Sequence, residues 1–531
     1  MKRILFIILV LGITIVGCAK KGTPSGGPKD IDPPVMLSAS PDNYSVNFDG
    51  DEIKILFNEY IKLKDLNKQL IVSPPLKTRP LITPQGGASK YLKIKIYDTL
   101  QPNTTYSFSF GKSIVDNNEG NPYPYFKYVF STGKTIDSLT FSGSIRDAVA
   151  KTADSFVSVL LYEIDSTFTD SIIYKQPPTY ITNTLDSTTT FKFENLKEGK
   201  YFLAALKEET ENYIFNQKTD KIGFIKDVVT IPSNQTPEIT LFKEIENYRA
   251  LKPKHERKNR IKLRYEGEAT SKIKINLLSD VAIQSKITKP IDNDTLNYWI
   301  KTDKNLDSLY FTMTHGKVID TFNVKIRKKV KADSLSFKIK ESTLALDADY
   351  TIVPSIPIIT VDKSKIEIID KDSLAIPFST EIDELTSAIK LKFKKQESQK
   401  YNIRIYPNAF TDFYNDTNDT LGYSANTKAL SAYGNFKITL KNAPKTSLIV
   451  QLLTTDGQVK YEKTGKGVYS FDFLNVNPAT YNIRVVFDDN ENKKYDTGNY
   501  LKKQQPERIA YHPEDIEVGA NWDVDETFTL K

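Results

Sequence analysis

Alternation of apolar and polar residues, with a period close to two, is the dominant pattern of this chain from Val35 onward. Turn residues separate the alternating runs at spacings typical of β-sandwiches. The runs in the first half are EIKILF (52–57), YLKIKIY (91–97), TYSFSF (105–110), FKYVFST (126–132), SFVSVLLYEI (155–164), TTFKF (189–193) and KYFLAAL (200–206). The second half continues with KIKINLL, SLYFTMT, AIKLKF, YNIRIY, FKITL, TSLIVQLL and YNIRVVF. Because a long amphipathic helical pattern is hard to find, the sequence predicts an all-β chain of serial β-sandwich domains.

Two internal repeats divide the chain further. Residues 191–216 align without gaps on residues 471–496 and share the pattern F-x-F-x-N-(L/V)-x(4)-Y. The matching positions are Phe191, Phe193, Asn195 and Tyr201 in the first copy and Phe471, Phe473, Asn475 and Tyr481 in the second. Residues 105–121 and 400–419 form another pair, in which an apolar stretch ends at Asp116 or Asp412. Each pair predicts a domain type that occurs twice.

The N-terminus carries a secretion signal. Lys2 and Arg3 precede an apolar run, 4–16, that is too short to span a bilayer permanently. The run is followed by Cys18, the only cysteine of the chain, in the context IVGC. This arrangement predicts a signal peptide over residues 1–17 and attachment of lipid, with acyl chains such as palmitate, at Cys18. Several acyl chains anchor a protein stably. A cleaved signal with an incidental cysteine and an uncleaved anchor are the alternatives.

The stretch that follows has the composition of a tether. Residues 18–34, CAKKGTPSGGPKDIDPP, are rich in Gly, Pro, Ser and Lys and have no apolar period. The motif GTPSGGPKD (22–30) after the cysteine resembles lipoproteins of Bacteroidota in which a bacterial Ig-like domain of the SbsA type comes next. The resemblance implies an outer-membrane lipoprotein. The leaflet, periplasmic or cell-surface, stays open, because no acidic cluster follows Cys18.

The repeats and this resemblance together predict an order of domains. The F-x-F repeat resembles carboxypeptidase-regulatory or transthyretin-like sandwiches, with Gly199 at the expected glycine and Ala479 at the equivalent position of the second copy. The expected order is Ig-like (35–133), transthyretin-like (134–245), a separate β domain (246–343), Ig-like (344–430) and transthyretin-like (431–531).

Composition excludes several kinds of chemistry. The 531 residues are 39% hydrophobic, with 29 Tyr and 28 Phe, which suits packed sheets. The net charge of +7 is mild, and no nucleic-acid motif accompanies it. The three histidines, His255, His315 and His512, stand far apart, so a His-based triad or a zinc site is not expected. The sequence therefore predicts a protein that is not an enzyme and has no required cofactor.

One loop resembles a calcium-binding pattern. In DDNENKKYDTG (488–498), side-chain oxygens stand at positions 1, 3, 5 and 9 of an EF-hand spacing. The candidate ligands are Asp488, Asn490, Asn492 and Asp496. Position 6 is Lys493 rather than Gly and position 12 is Asn499 rather than Glu, so only a weak structural calcium site is predicted. The alternative is a hairpin loop whose Asp and Asn side chains bind their own backbone.

Two further segments could face a partner. The basic run LKPKHERKNRIKLR (251–264) could bind an anionic surface, or it could be a linker and an edge strand protected by lysines. The cluster YPYF (123–126) is the aromatic group whose exposure would favour a sugar platform.

Asp-Ser and Asp-Thr pairs before apolar residues recur along the chain. Secreted Bacteroidota proteins carry O-glycans at similar motifs, so these positions are glycosylation candidates by resemblance. The alternative is that the pairs only close turns before strands, and both can hold at once. The candidates are Thr99, Ser138, Ser166, Ser171, Ser187, Thr295, Ser308, Ser334, Ser373 and Thr420.

These observations predict a non-catalytic, lipid-anchored outer-membrane scaffold whose sandwiches bind envelope proteins through sheet edges or loops. Two alternatives are a glycan-binding surface lipoprotein and a hydrolase with an unrecognised site, since the 66 acidic residues offer no discriminating pair.

Overall fold

The computed structural model describes residues 30–185, 189–269, 272–278, 283–291 and 295–530. About half of the chain, 49%, is β-strand and 3% is helix, which confirms the predicted all-β class of serial β-sandwiches. Every sheet in these ranges takes its strands from one of five consecutive segments. We call them modules 1 (30–133), 2 (134–245), 3 (246–333), 4 (334–430) and 5 (431–530). The signal peptide and Cys18 lie outside the described residues.

Module 1 is a sandwich of two sheets. Its strands are β1 (Met36–Ser40), β2 (Glu52–Leu63), β3 (Ile71–Ser73), β4 (Leu81–Thr83), β5 (Ser89–Lys95), β6 (Thr105–Ser109), β7 (Ile114–Asp116) and β8 (Lys127–Ser131), with a short helix α1 (Leu66–Gln69). One sheet has the order β1-β2-β5-β4, with β7 also paired to β2, and the other has the order β3-β6-β8. Alternate residues such as Ile53, Ile55 and Phe57 are buried between the sheets, as the period of two predicts.

Module 2 is a sandwich of a different topology. Its strands are β9 (Leu139–Asp147), β10 (Ser158–Glu163), β11 (Tyr180–Asn183), β12 (Thr190–Leu196), β13 (Gly199–Lys207), β14 (Lys221–Phe224), β15 (Val229–Ile231) and β16 (Glu238–Leu241), with a 3-10 turn at Ile172–Tyr174. The sheets are β12-β9-β16, in which β16 runs parallel to β9, and β11-β10-β13-β14, with β15 also paired to β13. The second sheet is apolar on both faces, and its outer face needs a cover.

Module 3 contains β17 (Arg249–Arg257), β18 (Arg260–Glu266), β19 (Lys274–Leu277), β20 (Gln284–Thr288), β21 (Leu296–Lys301), β22 (Ser308–His315) and β23 (Val318–Lys325). Its sheets have the orders β17-β18-β21-β20 and β19-β22-β23.

Module 4 contains β24 (Phe337–Ile339), β25 (Thr343–Leu344), β26 (Tyr350–Pro354), β27 (Ile358–Val361), β28 (Ile366–Ile369), β29 (Phe378–Ile382), β30 (Ile389–Phe393), β31 (Lys400–Ile405), β32 (Phe410–Asp412) and β33 (Leu421–Thr427), with a 3-10 turn at Lys363–Lys365. The sheets are β24-β26-β30-β29, β25-β33-β31-β28 and the pair β27-β32. Because β24 pairs with β26, residues 337–339 belong with module 4, whereas the predicted boundary at residue 343 left them in the preceding domain.

Module 5 contains β34 (Gly434–Lys441), β35 (Ser447–Thr454), β36 (Val459–Lys466), β37 (Ser470–Val476), β38 (Ala479–Asp488), β39 (Ile509–Tyr511), β40 (Ile516–Val518) and β41 (Asp523–Thr529), with a 3-10 turn at Leu430–Ala432. Its sheets are β37-β34-β41 and β36-β35-β38-β39, with β40 also paired to β38. This order reproduces module 2 strand for strand, including the parallel pair formed by the last strand and the first.

The repeated residues of modules 2 and 5 have the same local roles. Tyr201 donates its hydroxyl hydrogen bond to the carbonyl of Lys197 at 3.1 Å, and Tyr481 donates to that of Asn477 at 2.7 Å. The turn residue Asn195 has φ 60°, and its counterpart in module 5 has φ 56°. Asn tolerates this left-handed conformation better than most residues, which explains why the turn carries Asn in both copies.

Modules 1 and 4 also share an arrangement. In both, one sheet contains a three-strand path, β3-β6-β8 or β28-β31-β33. The strand that ends at the repeated aspartate pairs elsewhere: β7 pairs with the long β2, and β32 pairs with β27 in a separate two-stranded sheet. Asp116 and Asp412 are both buried. Asp116 accepts hydrogen bonds from four backbone N–H groups, those of residues 118–121, at 2.7–3.0 Å. Asp412 accepts only two, from Tyr414 and Asp416.

This difference gives the two aspartates opposite pKa shifts. Burial favours the neutral form of Asp116, but the four N–H groups outweigh it and hold its pKa below the usual value. For Asp412 burial is the dominant effect and its pKa is raised.

We expect Asp116→Asn to destabilise module 1 at pH 7 by about 2 kcal/mol, because an amide nitrogen would meet a backbone N–H. A depressed folded-state pKa stabilises above the unfolded pKa, so this cost should shrink as the pH falls below about 4. Asp412→Asn should cost less at pH 7, and its cost should grow as the pH falls through the raised pKa. Hydrogen exchange of each module in denaturant, between pH 3 and about 7, measures both variants, and parallel pH trends would contradict the prediction.

Candidate functional site: a loop that joins two modules

The loop predicted to bind calcium connects β38 to β39 and spans residues 489–508. Asp488, at its start, is buried and already bound within the protein. One carboxylate oxygen accepts the N–H of Asn492 at 3.0 Å, and the other accepts the N–H of Lys493 at 3.1 Å and the hydroxyl of Ser447 at 2.9 Å. Asp488 therefore closes the loop on its own backbone, as the alternative interpretation predicted.

The other three candidate ligands lie beside Asp488, because Asn490 also accepts the N–H of Asn492, at 3.1 Å. The side-chain amides of Asn490 and Asn492 both donate to the same oxygen of Asp496, the second at 2.6 Å. Glu507, which the spacing argument did not consider, accepts the N–H groups of Asp489 and Asp496 at 3.0 Å each. Burial is the main cause that raises the pKa of Glu507. The structure thus brings the four predicted ligands into one hydrogen-bond network, and calcium binding stays a prediction.

The equivalent loop of module 2 uses an acid in the same way. Glu208, which aligns with Asp488, accepts the N–H groups of Asn212 and Tyr213, both at 2.8 Å. In both copies the acid therefore binds the backbone four and five residues later. The aligned position has a structural role that does not need a metal.

The second half of the module 5 loop leaves its own module and packs on module 2. Tyr500 is fully buried there and belongs to the apolar cluster on the outer face of the β10-β13-β14 sheet. Its ring lies 5.6 Å from that of Phe202, 5.3 Å from that of Phe224 and 6.1 Å from that of Tyr174. Burial raises the pKa of the Tyr500 hydroxyl. The loop thus supplies the cover that this face of module 2 lacks.

Polar contacts fix the position of the loop. The N–H of Tyr500 donates to the buried carboxylate of Glu244. Thr497 donates its hydroxyl to the carbonyl of Lys243 at 2.7 Å, and Gln505 donates its amide to the carbonyl of Phe224 at 2.8 Å. The loop forms hydrogen bonds with backbone and carboxylate groups of module 2 and also covers its apolar surface. These contacts together define one position of the loop on module 2.

Two residues beside Tyr500 explain why the sequence permits this approach. A Cβ atom at Gly498 would lie 2.5 Å from the ring of Phe242, so only glycine fits. Lys503 places its ammonium 4.2 Å from the centre of the Tyr500 ring and 2.7 Å from the carboxylate of Asp170 in module 2. No spacing rule signals this contact, since the partners stand about 300 residues apart.

A second contact between the same modules lies nearby. Tyr511 donates its hydroxyl to the carbonyl of Val149, and Lys151 donates to the carbonyl of Pro513 at 3.0 Å. A cavity of about 660 Å³ lies between them. At its wall, Lys221 binds the carboxylates of Asp147 and Asp154 at 2.7 Å each. One lysine between two carboxylates is typical of a structural ion pair.

The basic run 251–264 forms the β17-β18 hairpin, in which β17 is the edge strand of its sheet. Lys252, Lys254 and Arg264 are exposed. Residues 246–333 hold 20 Lys and Arg against 11 Asp and Glu, so the basic charge of the chain is concentrated in module 3. The edge-strand interpretation agrees with this geometry, and binding of an anionic surface stays a prediction.

The aromatic cluster 123–126 divides between core and surface. Phe126 is buried and Tyr123 packs edge-on against it at 5.2 Å, whereas the side chain of Tyr125 is 55% exposed.

The glycosylation candidates are mostly accessible. Thr99, Ser138, Ser166, Ser334, Ser373 and Thr420 are exposed, and Ser171, Thr295 and Ser308 are half-buried. Ser187 and the lipid-attachment residue Cys18 lie outside the described residues. Modification of these positions stays a prediction.

Within the ranges that the structure describes, no group of three or more His, Cys, Asp or Glu side chains is placed to hold a metal ion. No helix in the same ranges is long and apolar enough to cross a membrane.

Comparison with known proteins identifies the first module. Residues 30–132 match the bacterial Ig-like domain family, which confirms the Ig-like prediction for this part of the chain. No curated protein matches the sequence.

The comparison with solved structures gives matches of low identity and low TM-score. The I9–I11 tandem of titin is 9% identical, with 54% of this chain and 100% of that chain covered and a TM-score of 0.12. Domains 1–6 of the surface layer protein SbsC are 11% identical, with 86% and 64% covered and a TM-score of 0.14. The Bacteroides ovatus protein SGBP-B, in complex with a mixed-linkage heptasaccharide, is 11% identical, with 72% and 91% covered and a TM-score of 0.16. Values this low support neither a common function nor a common ligand.

We expect Tyr500→Ala to release module 5 from module 2, because the substitution removes the ring that packs against Phe202 and Phe224 and leaves that site empty. The free energy that holds the two modules together should fall by about 3 kcal/mol or more. Tyr500→Phe should keep it, since the Tyr500 hydroxyl has no hydrogen-bond partner among the described residues. Small-angle X-ray scattering should show a larger radius of gyration for Tyr500→Ala alone.

Leu501→Ala is the matched control, because Leu501 is the next residue and its side chain is 59% exposed. An unchanged radius of gyration and an unchanged thermal unfolding curve for Tyr500→Ala would contradict the inferred role of this tyrosine.

Proposed function

We propose that the protein is a non-catalytic interaction scaffold, anchored by lipid at Cys18 to the outer membrane, that binds other proteins of the cell envelope. The observation that best supports this proposal is the burial of Tyr500 of module 5 in the apolar cluster of module 2. A chain of five sandwiches joined only by short linkers would bend at each junction. Module 5 instead returns to module 2 and is held by apolar packing, a buried carboxylate and a cation over an aromatic ring.

A body with fixed junctions suits a scaffold. Binding surfaces on different modules keep their relative positions, so a partner that touches two of them loses less freedom on binding. The lipid would supply the attachment, and the residues after it, 19–34, would supply the reach. Partners would dock on open sheet edges or on loops between modules.

The anchor has a direct test. We expect Cys18→Ser to move the protein from the membrane fraction to the soluble envelope fraction of the native host, because the thiol is the only group that can take the thioether-linked lipid. Ser25→Ala, in the same tether, should stay in the membrane fraction. Recovery of Cys18→Ser with the membranes after a high-pH carbonate wash would refute lipid attachment at this residue.

The scaffold role is tested by crosslinking in intact cells, followed by purification from membranes and mass spectrometry. Wild-type protein should yield specific envelope partners, and Tyr500→Ala should lose those that contact modules 2 and 5 together. The proposal fails if no envelope protein is enriched over an unrelated lipoprotein of the same membrane.

A further inference from the structure

The junction of modules 1 and 2 contains a second concave site, separate from the Tyr500 contact. A cleft of about 660 Å³ lies between the outer face of β6 in module 1 and the outer faces of β9 and β12 in module 2. Direct bonds hold the two walls apart at a fixed distance. Thr105 donates to Asp137 at 2.8 Å, the N–H of Ile181 donates to Ser73 at 3.1 Å, and Lys197 donates to the carbonyl of Asn103 at 2.6 Å. The cleft is therefore formed before any ligand arrives.

Hydroxyl groups line both walls of the cleft. Ser109 projects from module 1, and Ser142 and Ser144 project from module 2. All three are half-buried, and within the described residues their hydroxyls bind no other protein group. Each hydroxyl can both donate and accept. The strand period explains their alignment, because every second residue of β6 and β9 faces the cleft while the residues between them, such as Phe108, fill the cores.

The side-chain amides of Gln69 and Asn183 also line the cleft, and each has a fixed orientation. The side-chain oxygen of Gln69 accepts the N–H of Lys112 at 3.2 Å, and that of Asn183 accepts the N–H of Leu185 at 3.3 Å. Each amide is thereby fixed through its oxygen, and in both cases the NH₂ group donates to no protein atom in the described ranges. A bound molecule would meet amide donors that are already oriented.

An exposed aromatic ring stands at the rim of the cleft. Tyr125 lines it with a side chain that is 55% exposed. Its backbone has φ 55°, an uncommon conformation for a bulky residue, and its N–H donates to the carbonyl of Gly111 at 2.9 Å. Because the neighbouring Tyr123 and Phe126 pack inward, this turn holds a single ring outward. Such strained residues cluster at functional sites.

The charges in the cleft nearly cancel. Glu194 binds both Lys127 and Lys192, the latter at 2.7 Å. Burial favours the neutral form of Glu194, but the hydrogen bonds and charges of the two lysines outweigh it and lower its pKa. The cleft therefore keeps a single net positive charge, and its other lining groups are hydroxyls, amides and apolar side chains such as Ile181 and Phe191. This combination suits a neutral or weakly acidic ligand that has both polar and apolar surface.

From this geometry we propose that the cleft between modules 1 and 2 binds a carbohydrate chain. A sugar ring presents hydroxyls at its edge, which need partners that both donate and accept, and C–H groups on its face, which pack on an aromatic ring. The two walls offer the first and Tyr125 offers the second. The volume is that of an ordinary small-ligand site. This site would give the scaffold a ligand of its own, and it does not depend on the Tyr500 contact.

The test is affinity electrophoresis of the full chain in native gels that contain xylan, galactomannan, β-glucan, starch or pectin. The protein is kept in a detergent without a sugar headgroup. We expect at least one polysaccharide to retard the wild-type protein. Tyr125→Ala and Asn183→Ala should weaken the apparent affinity about tenfold, because each removes one set of contacts. Tyr125→Phe should retain most of it, since the ring remains.

Tyr97→Ala is the matched control, because Tyr97 is a tyrosine of the same module with 58% exposure and does not line the cleft. It should bind like the wild type. Unchanged thermal unfolding of all variants shows that the fold is intact. The proposal is overturned if no polysaccharide retards the protein, if Tyr125→Ala and Tyr97→Ala behave alike, or if the cleft variants change only a crosslink to a protein.

Discussion

The burial of Tyr500 in module 2 is the interaction on which the arrangement of the chain depends. The outer face of the β10-β13-β14 sheet carries Phe202 and Phe224, which would be exposed to water without a cover. The first-copy loop supplies part of that cover through Phe215, and the second-copy loop supplies Tyr500 from another module. The two copies of the repeat are therefore not equivalent, since module 2 offers a site and module 5 fills it.

A second constraint recurs in four modules. Loops that leave a strand at Asp116, Glu208, Asp412 or Asp488 fold back so that a carboxylate accepts backbone N–H groups. The backbone of a loop lacks the regular hydrogen bonds that pair neighbouring strands. Leaving a buried N–H unpaired costs more free energy than a typical hydrogen bond contributes to stability. The carboxylate accepts these N–H groups, and the neighbouring Asn and Asp residues are those that turns favour. This accounts for an EF-hand-like spacing in a loop whose first acid is occupied by its own chain.

Both sites described here arise where two modules meet. The Tyr500 contact is formed by the loop of module 5 and the β10-β13-β14 sheet of module 2. The hydroxyl-lined cleft is formed by β6 of module 1 and β9 and β12 of module 2. Neither module contains either site alone. Module 2 is central to both, because its β10-β13-β14 sheet receives Tyr500 and its strands β9, β11 and β12 line the cleft.

The sequence by itself determined the local structure. The period of two in segments such as EIKILF fixed which residues of β2 are buried, because successive side chains of a strand point to opposite faces. The F-x-F repeat located equivalent strands in modules 2 and 5, and GTPSGGPKD placed an Ig-like domain directly after the tether, which the family match over residues 30–132 bears out. Only the tertiary structure decided that Tyr500 is buried, that Asp488 also binds Ser447 of the neighbouring strand, and that Tyr125 stands out from its neighbours. Those outcomes depend on contacts between residues far apart in the chain, and no local pattern of polar and apolar residues specifies which outer face another module will cover.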